Sequence, residues 1–271
     1  MATDEVSFGF EDFWPIAHQA FPKFWEVMPR LVDSMNSLLA WAYQSVDPIH
    51  KVTINLGILA ATSLTETMTL VGNGLGHGAM KIARAMLECA INAEYLRRFP
   101  AELDDYIDWS KIENHKLLAY IQSDAPHLLI KFPQAYVDEV ERDFLAVRSR
   151  FEFVTGKGRK KLRGSWCSVA LDVRASKTDF QEAYRLIYPM GSKLTHATIG
   201  GMAMHADRNA RSARVGVPPS LTLCKEALIP THLCAVKMVE TVSNVMAQQP
   251  SHSVASLAAD YDDAWGTPTQ L

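Results

Sequence analysis

Four side chains that can donate, accept or transfer protons recur at every fourth position: Tyr184, Tyr188, Ser192 and His196. In a helix each step of four residues advances 400° around the axis, so these side chains form one slowly drifting stripe. The helix is predicted over residues 178–199, with Thr178 or Asp179 as its N-cap. Most of its apolar residues fall on the other side, which places the stripe beside the core-facing surface. Because imidazole titrates near neutral pH and hydroxyl groups can stabilise a developing negative charge, the stripe is the first candidate site.

A second polar sector lies on the helix predicted over residues 79–99. Apolar side chains cover most of its circumference, and the polar residues gather in one narrow sector that holds Lys81, Arg84, Glu88 and Asn92. Arg84 and Glu88 are four residues apart and can form an ion pair. Two interpretations stay open: a solvated stripe, or a partly buried guanidinium and carboxylate that face the Tyr/Ser/His stripe.

Two hypotheses from different functional classes follow from these groups. In the enzymatic one, His196 is the general acid or base and Ser192 is a nucleophile or hydrogen-bond donor, while Tyr188 donates to the developing charge. Arg84 and Glu88 then hold a phosphate and orient His196, which suits metal-independent cleavage of an RNA phosphodiester or another phosphoryl hydrolysis. In the favoured alternative the same residues form an interhelical hydrogen-bond network in a non-catalytic interaction or regulatory module.

Basic residues concentrate in two further segments, where they can contact phosphates. Residues 156–164 contain five cations and no carboxylate: Lys157, Arg159, Lys160, Lys161 and Arg163. Residues 200–219 form a long predicted loop that carries Arg208, Arg211 and Arg214. Binding of nucleic acid by such cations weakens steeply with salt. The alternative for both segments is a solvated connection.

The periodicity predicts an all-α fold, a bundle of about eight helices without a significant β-sheet. Prolines are predicted to divide the first 47 residues into short helices followed by one longer amphipathic helix over about residues 29–43. Residues 49–71 are predicted to form a long apolar helix that should be central and buried. The glycine-rich residues 72–78 are predicted to connect two antiparallel helices; the alternative is a phosphate cradle formed by backbone N–H groups at the start of the second helix. We expect one helical domain over residues 1–248, with residues 1–47 as an N-terminal extension packed on it, and a flexible C-terminal tail over residues 249–271.

Composition places the chain among soluble globular proteins. Its 271 residues are 48% hydrophobic and 21% charged, and the formal net charge is −3. No global basic excess points to nucleic acid, so such a partner requires a local basic patch. Four scattered cysteines without a CxxC pair predict free thiols in a reducing compartment. The acidic start lacks the pattern of a signal peptide, and we expect a cytoplasmic protein without a membrane partner.

An acidic cluster on the helix predicted over residues 102–122 is the only arrangement that resembles a metal site. It consists of Asp104, Asp105, Asp108, Glu113 and His115. The Glu-x-x-His pairs of a di-iron bundle are absent from the chain, so the cluster is interpreted as a solvated face. No metal and no cofactor is predicted.

Several of these motifs together resemble a bacterial all-helical domain family of unknown function. They are Arg84-x-x-x-Glu88 followed by Tyr95-Leu96, and downstream Trp166, Tyr184, Tyr188, Ser192, His196 and Gly200. The resemblance covers residues 82–201 and implies a helical fold with an Arg/Glu helix and a Tyr-x3-Ser-x3-His helix.

A more distant likeness is to the helical RNase fold of prokaryotic toxins and defence systems (HEPN-like), whose signature places an arginine and a polar residue close before a histidine. The chain departs from that signature, because Lys193 stands three residues before His196 and the nearest upstream arginine, Arg185, is eleven residues away. The partner is left open as an unknown protein or RNA, and the wide apolar circumference of several helices is compatible with a homodimer.

Overall fold

Most of the described chain is helical, and the predicted all-α fold class is confirmed. The computed structural model describes residues 9–40, 45–196 and 219–266. Within these ranges the ten α-helices are α1 (Trp14–Ala20), α2 (Pro22–Leu39), α3 (Pro48–Gly72), α4 (Gly76–Arg98), α5 (Leu103–Asp124), α6 (Gln134–Phe151), α7 (Leu171–Lys177), α8 (Gln181–Thr195), α9 (Cys224–Met246) and α10 (Val254–Trp265). Helices α7 and α10 were not predicted.

Residue contacts divide the chain into two compact units, where the sequence analysis predicts one domain. The first unit comprises Met1–Arg98 and Leu171–Leu271, and the second comprises Phe99–Ala170. In the first unit, α3, α4 and α9 pack against one another and form its core. Among the described helices, α3 alone is long and apolar enough to cross a membrane. Its extensive packing against α4 and α9 is that of a central helix, as predicted, but the helix is only partly buried, since Ile58 and Leu59 in its apolar run are exposed.

The glycine-rich segment between α3 and α4 is a tightly packed connection. Gly74 has a φ of +68°, a conformation that favours glycine. A Cβ atom at Gly76 would lie 2.1 Å from the carbonyl oxygen of Thr222, so no side chain fits there. Ser220 N–H donates to the carbonyl of Gly74 at 3.0 Å. The start of α4 is therefore occupied by the backbone that leads into α9, and the phosphate-cradle alternative loses its space.

Helix α10 lies where a flexible tail was predicted. Its N-terminal cap is Ser253, whose hydroxyl accepts a hydrogen bond from Ser256 N–H. Leu257 is buried, and α10 packs against α2 and α9. The serines and aspartates of this segment lie mainly on the solvent side of the helix, which is why the composition resembled that of a tail. Residues 267–271 lie outside the described residues.

The second unit is built on α5 and α6, which pack against each other. Helix α6 ends at Phe151, where the chain continues as strand β1 (Glu152–Val154). Strand β1 pairs with β2 (Lys160–Leu162) in an antiparallel hairpin. The predicted basic connector is therefore the turn and second strand of this hairpin, the small sheet of an otherwise helical chain.

The acidic residues of α5 do not form an open solvated face, because two of them are held by ion pairs. Asp105 pairs with Arg150 and Arg163 at 3.2 Å each. Asp108 pairs with Lys111 at 2.6 Å and also with Arg150. Burial alone would raise the pKa of Asp108, but the hydrogen bonds and charges of Lys111 and Arg150 outweigh it and lower the pKa.

The predicted helix over residues 178–199 begins later than expected. Neither Thr178 nor Asp179 caps it: the Thr178 hydroxyl donates back to the Arg174 carbonyl of α7, and Asp179 has a φ of +62° in the turn. Helix α8 then continues through Pro189 to Thr195. Proline removes the bond to the carbonyl of Arg185, and because both residues are exposed, water can replace it.

Candidate functional site

The two polar sectors meet at Arg84, where α4 packs against α8. Arg84 Nη2 donates a hydrogen bond to the hydroxyl of Tyr188 at 2.9 Å. The same nitrogen lies 2.9 Å from a carboxylate oxygen of Glu88, and the guanidinium carbon is 4.4 Å from the centroid of the Tyr188 ring. The buried Nε of Arg84 has no acceptor within the described chain, so the described hydrogen bonds of the guanidinium run through Nη2.

Tyr184 extends this contact along α8. Its ring stacks on that of Tyr188 with 4.6 Å between centroids, and both side chains are half-buried. Burial, followed by the neighbouring Tyr188, raises the pKa of Tyr184. Its phenol therefore stays protonated at neutral pH and serves as a hydrogen-bonding group rather than a base.

Gly191 sets how closely the two helices approach. A Cβ atom at this position would lie 2.7 Å from Cβ of Arg84 and 3.1 Å from the carbonyl oxygen of Met80. The close approach places Arg84 within reach of Tyr188, one helical turn away.

Replacing Gly191 by alanine should therefore force α4 and α8 apart and lower the free energy of unfolding by about 1–3 kcal/mol. Urea unfolding followed by circular dichroism measures this loss. Gly164→Ala is the matched control, since no atom lies within 4 Å of the added methyl group. Equal stability of both variants would contradict the close contact.

Ser192 and His196 lie further along α8. Ser192 is half-buried, and its carbonyl accepts the His196 backbone N–H at 3.0 Å. His196 is the C-cap residue and is exposed. It follows Tyr188 by eight residues, about 12 Å along the axis. In the described part of the chain no hydrogen bond joins its imidazole to Arg84 or Glu88, so the structure groups Arg84, Glu88, Tyr184 and Tyr188 without His196.

A buried ion cluster at the other end of α4 escaped the sequence analysis. The carboxylate of Glu94 accepts hydrogen bonds from Arg97 (2.7 and 2.8 Å), from Arg98 (2.6 Å) and from the Thr241 hydroxyl of α9 (3.0 Å). Arg98 also bonds the Lys177 carbonyl at 2.9 Å. The spacing of Glu94 to Arg97 and Arg98, three and four residues, was the available signal.

The electrostatics of this cluster explain why a carboxylate is buried there. Burial alone would raise the pKa of Glu94, but the hydrogen bonds from Arg97, Arg98 and Thr241 outweigh it and lower the pKa. The group is therefore ionised at neutral pH. It ties α4 to α9, which gives it a structural role.

Four of the five predicted cations in residues 156–164 lie exposed on the hairpin: Lys157, Arg159, Lys160 and Lys161. The fifth, Arg163, is held inside the second unit. Its Nη2 donates to the carbonyl of Arg150 at 2.6 Å and to Asp105 at 3.2 Å, and its guanidinium carbon lies 5.0 Å from the Phe151 ring centroid. The predicted contacts Arg208, Arg211 and Arg214 lie outside the described residues.

An open groove of about 440 Å³ lies in the second unit, between the hairpin and the helices α5 and α6. It is lined by His115, Glu141, Phe144, Leu145, Arg148, Glu152, Lys160, Lys161 and Leu162. The His115 ring stacks on Phe144 with 3.6 Å between centroids. The spacing along α5 predicts His115 as part of the acidic cluster, and no sequence signal connects it with the hairpin.

Neither a metal centre nor an activated thiol emerges from the described residues. Residues 9–40, 45–196 and 219–266 contain no group of three or more His, Cys, Asp or Glu side chains placed to hold a metal ion. The four cysteines, all within these ranges, form no disulfide bonds with one another. Burial and the adjacent Glu88 raise the pKa of Cys89 to about 11, so its thiol is neutral and a poor nucleophile.

Comparison with known proteins identifies a family but no activity. Residues 50–213 match a family described as "Family of unknown function (DUF5677)", a span of more than half the chain. The chain belongs to this family. No curated protein and no solved structure matches it. The DUF5677 match includes both α4 and α8 and the whole hairpin unit, so each candidate surface lies within the span that defines the family.

Proposed function

We propose that this protein is a non-catalytic RNA-binding module that contacts RNA through the basic β1–β2 hairpin. The observation that carries the proposal is the group of four exposed cations on the hairpin. They lie within five consecutive positions, residues 157–161, in which the remaining residue is Gly158 and no carboxylate is present. A local excess of this kind attracts a polyanion although the whole chain carries a formal net charge of −3.

The hairpin geometry supports contact with an extended strand. Val154 pairs with Lys160 and Phe153 with Lys161, so both lysines lie on the exposed second strand directly after the turn. Lys157 and Arg159 lie in the turn between the two strands, where neither has a described ion pair. Phe153 is 47% exposed and offers an aromatic surface on which a base can stack.

The α4–α8 contact supports a structural role for the Arg84 cluster. Its guanidinium is already engaged by Tyr188 and Glu88, and the side chain is only 19% exposed. Nη2 of Arg84 therefore already has two acceptors within the protein. His196, the expected acid or base, has neither a positioning partner among the described residues nor a described bond to the arginine.

The test measures binding and cleavage in the same sample. The parent protein should bind a fluorescent single-stranded RNA, and Lys157→Ser combined with Arg159→Ser should weaken binding about tenfold at low salt. Lys131→Ser combined with Arg142→Ser removes the same charge from exposed positions of the same unit and should have little effect. Equal affinities of the two double variants would contradict the proposal.

The alternative function is a metal-independent RNase of the toxin and defence type, with His196 as acid or base. It predicts that the parent degrades the RNA in the presence of a chelator and that His196→Ala abolishes degradation while thermal stability is unchanged. Our proposal predicts that the RNA stays intact with both proteins. Degradation that depends on His196 would refute the binding-module proposal and support the RNase.

A further inference from the structure

We propose that the groove between the hairpin, α5 and α6 binds a terminal phosphate, the phosphomonoester of a nucleotide or of an RNA end. The groove would be a second RNA contact beside the hairpin turn. The identity of its biological ligand rests on the proposed RNA binding. The groove volume of about 440 Å³ is within the range of small-molecule sites.

The charge balance of the groove favours an anion. Arg148, Lys160 and Lys161 contribute three cations to its lining, and Glu141 and Glu152 contribute two carboxylates. Glu152 is shared, because it bonds Arg148 and lies 3.9 Å from the ammonium group of Lys160. A single carboxylate cannot neutralise both, so a positive surplus remains at the foot of the hairpin.

Protonation of His115 would increase this positive surplus. Its ring is fixed by stacking on Phe144, and the guanidinium carbon of Arg148 lies 5.6 Å from the centroid of the same Phe144 ring. Burial, with a contribution from Arg148, lowers the pKa of His115, although Glu141 opposes the shift. The imidazole is therefore mainly neutral at pH 7 and can take up a proton when an anion binds.

Protonation of His115 matches the net charge of the groove lining to that of the ligand. With His115 protonated, the lining carries four cations and two carboxylates, a surplus of two positive charges. A phosphomonoester carries between one and a half and two negative charges near neutral pH, whereas an internal phosphodiester carries one. The groove is therefore suited to the end of a strand rather than to its interior.

A phosphomonoester site predicts tighter binding of a 5′-phosphate than of a 5′-hydroxyl, together with uptake of a proton by His115. An RNA oligonucleotide with a 5′-phosphate should bind about five- to tenfold more tightly at pH 6 than the same oligonucleotide with a 5′-hydroxyl. The preference should fall toward pH 8, because binding of the anion raises the pKa of His115 and affinity is lost as the proton dissociates. NMR titration of the His115 imidazole with and without adenosine 5′-monophosphate measures the shift directly.

Two variants separate the groove from the hairpin turn. Lys160→Gln should abolish the preference for the 5′-phosphate, whereas the Lys157→Ser and Arg159→Ser variant should lose affinity for both oligonucleotides and keep their ratio. Equal affinity for the two oligonucleotides, with an unchanged His115 pKa, would overturn the groove site while leaving RNA binding intact. Absence of RNA binding together with a His115 shift on mononucleotide addition would instead support the groove and refute the proposed function.

Discussion

Replacing Glu94 by glutamine should lower the free energy of unfolding by about 2–4 kcal/mol. Its carboxylate is 8% exposed and accepts hydrogen bonds from two arginines and from Thr241. Removal of the charge leaves Arg97 and Arg98 without their shared partner. Their side chains are about one-third exposed and can turn toward water, which keeps the loss below that of a fully buried ion pair.

The same substitution at Glu88 is the control for this prediction. Glu88 lies on the same helix and also pairs with an arginine, but its side chain is 35% exposed. Glu88→Gln should therefore cost less than about 1 kcal/mol. Urea unfolding at pH 7 compares the two variants. A larger loss of unfolding free energy in Glu88→Gln than in Glu94→Gln would contradict this prediction. It would indicate that the Arg84 end of α4 contributes more to stability.

Lowering the pH from 7 to 5 should destabilise the protein by about 2 kcal/mol through His232 alone. The side chain is 1% exposed, and burial lowers its pKa from 6.5 to about 3. Its Nδ1 accepts a hydrogen bond from Trp265 Nε1 at 3.1 Å, and a protonated imidazole has no acceptor. Protonation would therefore break this hydrogen bond between α10 and α9.

The sign follows from the lowered pKa. In the unfolded chain the histidine gains a proton below about pH 6.5, whereas in the folded chain it does so only near pH 3. The stabilisation is complete above pH 6.5 and is lost as the pH falls from there. Glu94 has a pKa below 4.5 and does not contribute in this window.

Urea unfolding at pH 7 and pH 5 tests the assignment in the parent and in His232→Asn, which keeps an acceptor for Trp265 and removes the titration. The variant should lose about 2 kcal/mol less than the parent over this range. His127→Asn, at an exposed histidine, should retain the parent's pH dependence. Parallel pH dependence of the parent and His232→Asn would refute the assignment.

Much of the fold follows from periodicity, and the exceptions have identifiable physical causes. The apolar run of α3 and the narrow polar sector of α4 predicted their elements well, because burial leaves a helical pattern in the sequence. Helix α10 was missed because only Leu257 is fully buried along its length. The hairpin was missed because strands of three residues with exposed lysines carry no alternating pattern.

The candidate site could be predicted only up to the spacing along each helix. The four-residue interval predicted that Tyr188 and Ser192 share a side of α8, and the i, i+4 interval predicted the Arg84–Glu88 pair. Which turn of α8 faces Arg84 depends on the close approach at Gly191, and a periodic pattern does not encode the packing offset between two helices. The contact between His115 and Phe144 joins positions 29 residues apart and has no sequence signal.

The salt dependence of RNA affinity tests the central claim most directly. If the four hairpin cations displace counterions from a single strand, the logarithm of the affinity should fall against the logarithm of salt concentration with a slope of about −2.8, or about 50-fold between 50 and 200 mM. Loss of Lys157 and Arg159 should reduce the slope by about 1.4. An affinity that does not change with salt, or the same slope in parent and variant, would contradict RNA binding by the hairpin.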